Sequence, residues 1–310
     1  MIKPERKVAI VTGSSSGIGL KTALLLSKNG FNTYATMRNL ENSENLARVA
    51  KIKKLSLQVI QLDVNDDISV KHAIGKIEAA QNMRIDVLVN NAGYGLFGSL
   101  EDLSIEEIRA QFETNFFGLI RVTQQVLPVM RKQNSGGTIV NVSSIGGRIG
   151  SPILSAYNSA KFAVEDLSES MAYELAPFGI RVVLIEPSYI RTNIMNSSHI
   201  AKKALNPKSP YFSLMQEVSN HFRSKVENAS PPEEVAKVIL HAVTTENPQL
   251  RYTVGNDAAT IIRARMNMSD KEFAVWRSRR QLNLQEEDHE IQTDSCMATR
   301  TGKLRRSMHD

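Results

Sequence analysis

Cysteine is all but absent: Cys296 is the one thiol among 310 residues. A lone thiol excludes an internal disulfide framework and fits a reducing compartment. No apolar run approaches the ~18 residues that a membrane-spanning helix needs. Met1-Ile2-Lys3-Pro4-Glu5-Arg6 leads straight into an apolar strand without a secretory pattern, so the expectation is a cytoplasmic protein. The six histidines are scattered without metal-ligand spacing, and no metal site is expected. Aromatic residues make up 6% of the chain and no basic stretch is interleaved with them. The net charge of +6 therefore reads as a mildly basic, solvated surface and not as a nucleic-acid site. A basic cleft that attracts a phosphorylated ligand would use part of it.

What the chain has is alternation. Strand-like runs fall near residues 7–12, 32–37, 57–63, 85–90, 137–143, 180–186 and 250–254. Helical patterns fall near 17–29, 67–80, 105–131, 155–176 and 232–245. This order predicts an α/β fold: a doubly wound parallel sheet with a ligand crevice at the carboxyl ends of its strands. Residues 1–255 would form one domain, with 193–230 as a mobile lid over the crevice, bounded by Pro231-Pro232. Residues 256–280 read as a helical extension that could cover the pocket, meet another subunit or rest on a membrane surface. Residues 281–310, poor in apolar side chains and mixed in charge, read as a poorly ordered tail.

The first strand runs into Thr12-Gly13-Ser14-Ser15-Ser16-Gly17-Ile18-Gly19, and a helical pattern follows. Strand, glycine turn and helix together make a dinucleotide site, because glycines let backbone amides approach a pyrophosphate at the helix start. The spacing is Gly-x-x-x-Gly-x-Gly; a serine-rich turn without a ligand is the plain alternative. Further on, Tyr157 and Lys161 stand four apart in Tyr157-Asn158-Ser159-Ala160-Lys161, and Ser144 precedes the tyrosine by thirteen residues. On a helix a phenol and an ammonium at i and i+4 share a face. The cation would lower the phenol's pKa, and the serine could hold a carbonyl or alcohol oxygen, which is general acid–base machinery.

These segments resemble the short-chain dehydrogenase/reductase family. The matching pieces are Thr12 to Gly19, Leu62-Asp63-Val64, Asn90-Asn91-Ala92-Gly93, Asn115, Val142-Ser143-Ser144, Tyr157 with Lys161, and Pro187 to Thr192. They occur in the family's order across most of residues 5 to 255. Tyr34-Ala35-Thr36-Met37-Arg38 and the long C-terminal region resemble the branch with hydroxysteroid and retinol dehydrogenases. The resemblance implies a Rossmann fold and hydride transfer between a nicotinamide and an alcohol or carbonyl. It makes Tyr157 the proton donor or acceptor, Lys161 its neighbour on the nicotinamide ribose, and Ser144 (Ser143 being the rival) the holder of the substrate oxygen. Asn115 would bend a helix and support a water reaching Lys161.

The resemblance also distributes the cofactor contacts. Gly13, Ser15, Ser16, Gly17, Ile18 and Gly19 would cradle the phosphates, and Asp63 and Val64 would meet the adenine. Asn90, Ala92 and Gly93 would allow close backbone approach, although Asn90 could instead tie strands together and Asp63 could cap a helix. Pro187, Ile190 and Thr192 would hold the nicotinamide carboxamide, with Ser188 where the family usually has glycine. Past the second strand no carboxylate stands in Ala35-Thr36-Met37-Arg38-Asn39, where one would bond a ribose 2′-hydroxyl. Arg38 and Ser16 could bond a 2′-phosphate, so NADP(H) is expected over NAD(H).

Apolar residues in Tyr94-Gly95-Leu96-Phe97, Ile145-Gly146-Gly147 and Ile153-Leu154 suit a hydrophobic alcohol or ketone, steroid- or retinoid-like, or else pack the lid. A 3-oxoacyl-thioester reductase and a catalytically silent NADP-binding regulator are the rival readings. Relatives pair through helices near 105–131 and 155–176, so a homodimer or homotetramer is expected.

Overall fold

The computed structural model describes residues 6–133, 135–192 and 198–281. The first strands and helices are β1 (Val8–Val11), α1 (Gly17–Lys28), β2 (Asn32–Met37), α2 (Glu44–Ile52), β3 (Leu57–Gln61), α3 (Asp67–Ala80) and β4 (Val87–Asn90). Then come a short strand, β5 (Leu96–Phe97), α4 (Ile105–Phe112), a π-helical turn over Glu113–Phe117, α5 (Gly118–Lys132) and β6 (Gly137–Val142). After these run α6 (Ser155–Leu175), β7 (Ile180–Pro187), β8 (His199–Ile200), α7 (Phe212–Glu227), α8 (Pro232–Thr244), β9 (Arg251–Val254), α9 (Ala258–Asn267) and α10 (Asp270–Gln281).

The main sheet has the order β3-β2-β1-β4-β6-β7-β9, every neighbouring pair parallel. Strand order reverses between β1 and β4, which opens a crevice at the carboxyl ends of those two strands. Successive strand residues point to opposite faces. Ile10, Leu88 and Ile139 therefore pack on one side against Ile74 of α3, Val122 and Val126 of α5 and Met171 of α6. Val11, Val89, Val140 and Ile185 pack on the other against Leu20 and Leu26 of α1 and Val235 and Ile239 of α8. A sheet buried on both faces explains why its strands read as unbroken apolar runs.

The fold is the Rossmann-type sandwich that the sequence implies, and it adds detail in several places, α2 among them. The helix expected across 105–131 is divided by the π turn, in which Asn115 is buried. The extension expected at 256–280 is two helices, parted at Met268 and Ser269. The lid region, beyond its first residues, carries β8 and α7, and β8 pairs in parallel with β5. Residues 193–197 and 282–310, which include the start of the lid, nearly all of the expected tail and Cys296, lie outside the described residues.

Two units can be drawn, Met1–Asn267 and Met268–Asp310. In the second, Ser269 and Glu272 exchange capping bonds at the start of α10, and Phe273 stacks on Trp276 with ring centroids 5.7 Å apart. Among the described residues no helix is long and apolar enough to cross a membrane, and no cluster of His, Cys, Asp or Glu could hold a metal.

Candidate active site

Gly13 turns the chain out of β1 with φ +65°, and a Cβ there would lie 2.8 Å from the Ala92 Cα. A Cβ on Gly19 would lie 2.3 Å from the Gly13 carbonyl oxygen. Only glycine fits either place, so the loop lies flush against the end of β4. Thr12 and Asn91 stitch it there. The Thr12 hydroxyl accepts from the Asn91 and Ala92 amides, both at 3.0 Å, while the Asn91 side chain donates to the Thr12 and Gly13 carbonyls. Ser16 precedes α1 in extended conformation and its side chain caps no amide. The first amides of α1 consequently face the crevice without a side-chain acceptor. Ser15 is half-buried and Ser16 exposed in the same loop, with Ile18 half-buried behind them.

The far wall comes from β7. Pro187 ends it, and Ile190 and Arg191 are tied to Ser230. Thr192 lies so near Gly17 that a Cβ on that glycine would touch it at 3.3 Å. The segment Pro187 to Thr192 thus closes on the glycine loop. Ser188 fits because its neighbour across the sheet end is Gly255, at φ +117°: a Cβ there would come within 2.3 Å of the Ser188 hydroxyl. The room that a glycine at 188 would have left is supplied from β9's end instead.

Arg38 is exposed just past β2. Asp63 is half-buried and accepts from the Asn65 amide at 3.0 Å; α3 is capped by Asp66, so the helix-cap alternative for Asp63 is corrected. Val64 is buried beneath α5, close to Gly118. Asn90 spends its side-chain amide on Thr123 and Asn141, each at 2.9 Å, and Asn141 passes the network to Ser168 of α6. It ties strands to helices, as the plainer alternative had it. Gly93 packs on Asn115, whose side chain accepts from the Tyr94 amide and donates to the Tyr94 carbonyl. The π turn and this pair of bonds aim α5 past the crevice, and such turns recur at functional sites.

Ser144 leaves the end of β6 and Tyr157 and Lys161 come from the first two turns of α6. Ser144 and the Tyr157 ring flank Gly146, where a Cβ would lie 3.4 Å from both the Ser144 hydroxyl and the ring edge. The Ser144 hydroxyl donates to the Pro187 carbonyl at 3.3 Å and accepts from the Gly146 amide at 3.0 Å. Ser143 points away: its hydroxyl is buried beside Gly147 without a bonding partner. The Lys161 Nζ donates to the Val142 carbonyl at 2.8 Å and lies 5.9 Å from the centre of the Tyr157 ring.

Burial sets the ionisation of this pair. It pushes the Tyr157 phenol above its ordinary 10.0, against the opposite pull of the Ser144 hydrogen bond. Burial also brings Lys161 down from 10.5 to about 8, against the charge of Glu165. The net shift of Tyr157 in the chain by itself is thus upward, where a neighbouring cation acting alone would lower it. Both groups lie in a low-dielectric setting that disfavours phenolate and ammonium alike.

Comparison with known proteins identifies the family. Residues 7–203 match the short chain dehydrogenase family. The chain is a short-chain dehydrogenase/reductase. It is 35% identical to human 17-beta-hydroxysteroid dehydrogenase type 1, over 84% of this chain and 81% of that protein. It is 36% identical to the 3-ketodihydrosphingosine reductase of Bacteroides thetaiotaomicron, over 80% and 88%. Among solved structures, a short-chain dehydrogenase from Streptomyces avermitilis superposes with a TM-score of 0.76 at 32% identity, covering 91% of this chain and all of that one. The family membership makes this an oxidoreductase of the NAD(P)-dependent class.

Thr12 and Asn91, which hold the glycine loop, lie within the quoted motifs but were given no role there. Their signal was there, as polar residues beside the glycine turn and at the end of the fourth strand. What sequence lacks is the direction of their side chains.

Proposed function

We propose that the protein is an NADP-dependent oxidoreductase that interconverts a hydrophobic secondary alcohol and its ketone, or a related carbonyl, at Ser144, Tyr157 and Lys161. The observation that carries this reading is the placing of Ser144 and Tyr157 together around Gly146, with Lys161 one helical turn on. Bound in the crevice, the nicotinamide supplies or accepts the hydride. Tyr157 gives its proton to the substrate oxygen in reduction, and Ser144 donates a hydrogen bond to the same oxygen as negative charge develops on it. A phenol held above its ordinary pKa is a protonated donor at neutral pH, which suits that direction. Lys161 bonds the ribose hydroxyls, and Asn115 fixes the backbone next to them.

Glycines 13, 17 and 19 with Ser15, Ser16 and Ile18 take the pyrophosphate; Asp63 and Val64 take the adenine. Asn90, Ala92 and Gly93 shape the floor, and Pro187, Ile190 and Thr192 take the carboxamide. The cradle that a Cβ at Gly13 or Gly19 would fill supports this fit. Exposed Arg38, with no carboxylate in Ala35–Asn39, supports NADP(H) over NAD(H). A structural relative at 26% identity and TM-score 0.69, an actinorhodin polyketide ketoreductase, was solved with NADPH.

A hydrophobic substrate is favoured by the apolar cluster of Leu96, Phe97, Leu103, Ile153, Ala201 and Met215, where β5, β8 and α7 meet. Relatives named for a hydroxysteroid and for 3-ketodihydrosphingosine point the same way. The exposed Phe117, Phe162 and Tyr173 on the π turn and α6 favour pairing of copies through those helices. A cytoplasmic location completes the proposal, supported by the single thiol.

The test is loss of NADPH absorbance with a panel of steroid, retinoid, aliphatic and acyl-thioester carbonyls, run with wild type and Tyr157→Phe. Expected are turnover on apolar ketones in wild type, and turnover abolished with NADPH binding kept in the variant. Turnover by Tyr157→Phe near the wild-type rate refutes the site.

A further inference from the structure

Around Glu165 lies a charged cluster that the reaction just described does not use. Glu165 stands one turn beyond Lys161 on α6 and is 4% exposed. Its Oε2 accepts from the Arg251 Nε at 2.9 Å, and its Oε1 is buried without a hydrogen-bond partner. Arg251, on β9, also donates to Glu169 at 2.6 Å and lies 3.5 Å from Glu186 of β7. Glu186 is 1% exposed and accepts from Arg148 at 2.9 Å. Arg148 follows the Ser144-Ile145-Gly146-Gly147 turn directly.

Three carboxylates thus face two guanidinium groups, and Lys161 is the third cation that would balance them. The approach is close. A Cβ at Gly147 would lie 2.9 Å from the Glu165 Cγ and 3.0 Å from the Lys161 carbonyl, so the turn that carries Ser144 is pressed between the two side chains' helix and the sheet. The cluster joins four segments: the Ser144 turn, the helix of Tyr157 and Lys161, β7 before Pro187, and β9.

We infer that Glu165, anchored by Arg251, is a positioning residue for this site: it supplies the counter-charge to Lys161 and locks α6 to the turn that holds Ser144. The inference rests on the Ser144–Tyr157–Lys161 reading. Burying a charge at this depth is costly, and the Glu165 carboxylate one turn on raises the lysine's hold on its proton against that cost. The titratable groups around Lys161 are Tyr157 and Glu165 on its own helix; Glu186, Glu169, Arg148 and Arg251 reach it through Glu165. The net effect of the cluster on Lys161 is the upward pull of Glu165 against burial.

The test uses Glu165→Gln, which keeps an acceptor for Arg251 while removing the charge, and Glu165→Asp, which keeps the charge. Lys161 ionisation is followed in the cofactor-free protein by NMR of isotope-labelled lysine, with Lys161→Met to assign the signal. In Glu165→Gln the midpoint is expected to fall below the wild-type value by on the order of one pH unit, and Glu165→Asp to restore it at least in part. In turnover the loss caused by Glu165→Gln is expected to be greater at pH 8 than at pH 6, in kcat more than in KM. A midpoint equal in wild type and Glu165→Gln overturns the counter-charge, and a loss independent of pH reduces Glu165 to a packing role and overturns the inference. Tyr157→Phe, run beside them, separates the failures. If it is inactive, the site stands whatever Glu165 does; if it turns over, the site and this inference fall together.

Discussion

Replacing Lys161 by methionine should change how stability depends on pH, in a direction set by burial. In the folded chain the ammonium is held at about 8, whereas the unfolded chain titrates at 10.5. Between those values the unfolded state binds a proton that the folded state has released. Stability therefore rises as pH climbs through the window, and the full penalty for burying the cation is present below pH 8. At roughly 1.4 kcal/mol per tenfold change in proton affinity, that penalty is ~3 kcal/mol. Lys161→Met has no such group. It also loses the bond to the Val142 carbonyl, so the two absolute stabilities at pH 7 reflect opposing effects and the slope is the clean quantity. Urea unfolding of both cofactor-free proteins from pH 7 to pH 10.5 measures it. The wild type should gain about 3 kcal/mol relative to the variant across that range. Curves that stay parallel to within ~0.5 kcal/mol would refute a cation buried at a cost and the account of Tyr157 that rests on the same low-dielectric setting.

Other substitutions test the remaining parts. Gly19→Ala drives a methyl toward the Gly13 carbonyl; thermal melts should show a loss of about 1–3 kcal/mol, the usual cost of overpacking, and NADPH titration a weaker complex. Arg38→Asp should raise the dissociation constant of NADPH at least tenfold and that of NADH far less, since one loses a charge-assisted fork and the other gains a ribose acceptor. Equal losses for both cofactors would remove Arg38 from 2′-phosphate recognition. Asn90→Ala strips two bonds from a buried network and leaves the Asn141 acceptor unmatched; unfolding should show about 1–3 kcal/mol lost.

The main sheet was legible because burial on both faces writes continuous apolar strands, and its helices because one apolar face recurs. What escaped were pieces with little to bury. In α2 only Leu46 and Ala50 are buried, and in α7 only Met215 and Val226, so neither displays a wide apolar stripe. β5 and β8 are two residues each, shorter than any alternation can mark. The π turn at Asn115 comes from a one-residue excess in the helical winding, which side-chain spacing does not register. Ser144, Tyr157 and Lys161 could be named from order and spacing. The sign of the tyrosine's pKa could not, because spacing reports the neighbouring cation and is silent on the depth that opposes it.

Asn91 and Thr12 give the glycine loop a shape that depends on no ligand. With its Thr12 hydroxyl and its Thr12 and Gly13 carbonyls already bonded to Asn91 and Ala92 past the end of β4, the turn has few other conformations to abandon. A nucleotide docking there meets a mould that has already set, and little of its contact energy is consumed in freezing loose chain. Exchange of spent for fresh cofactor can then proceed without the cleft collapsing and re-forming at each cycle.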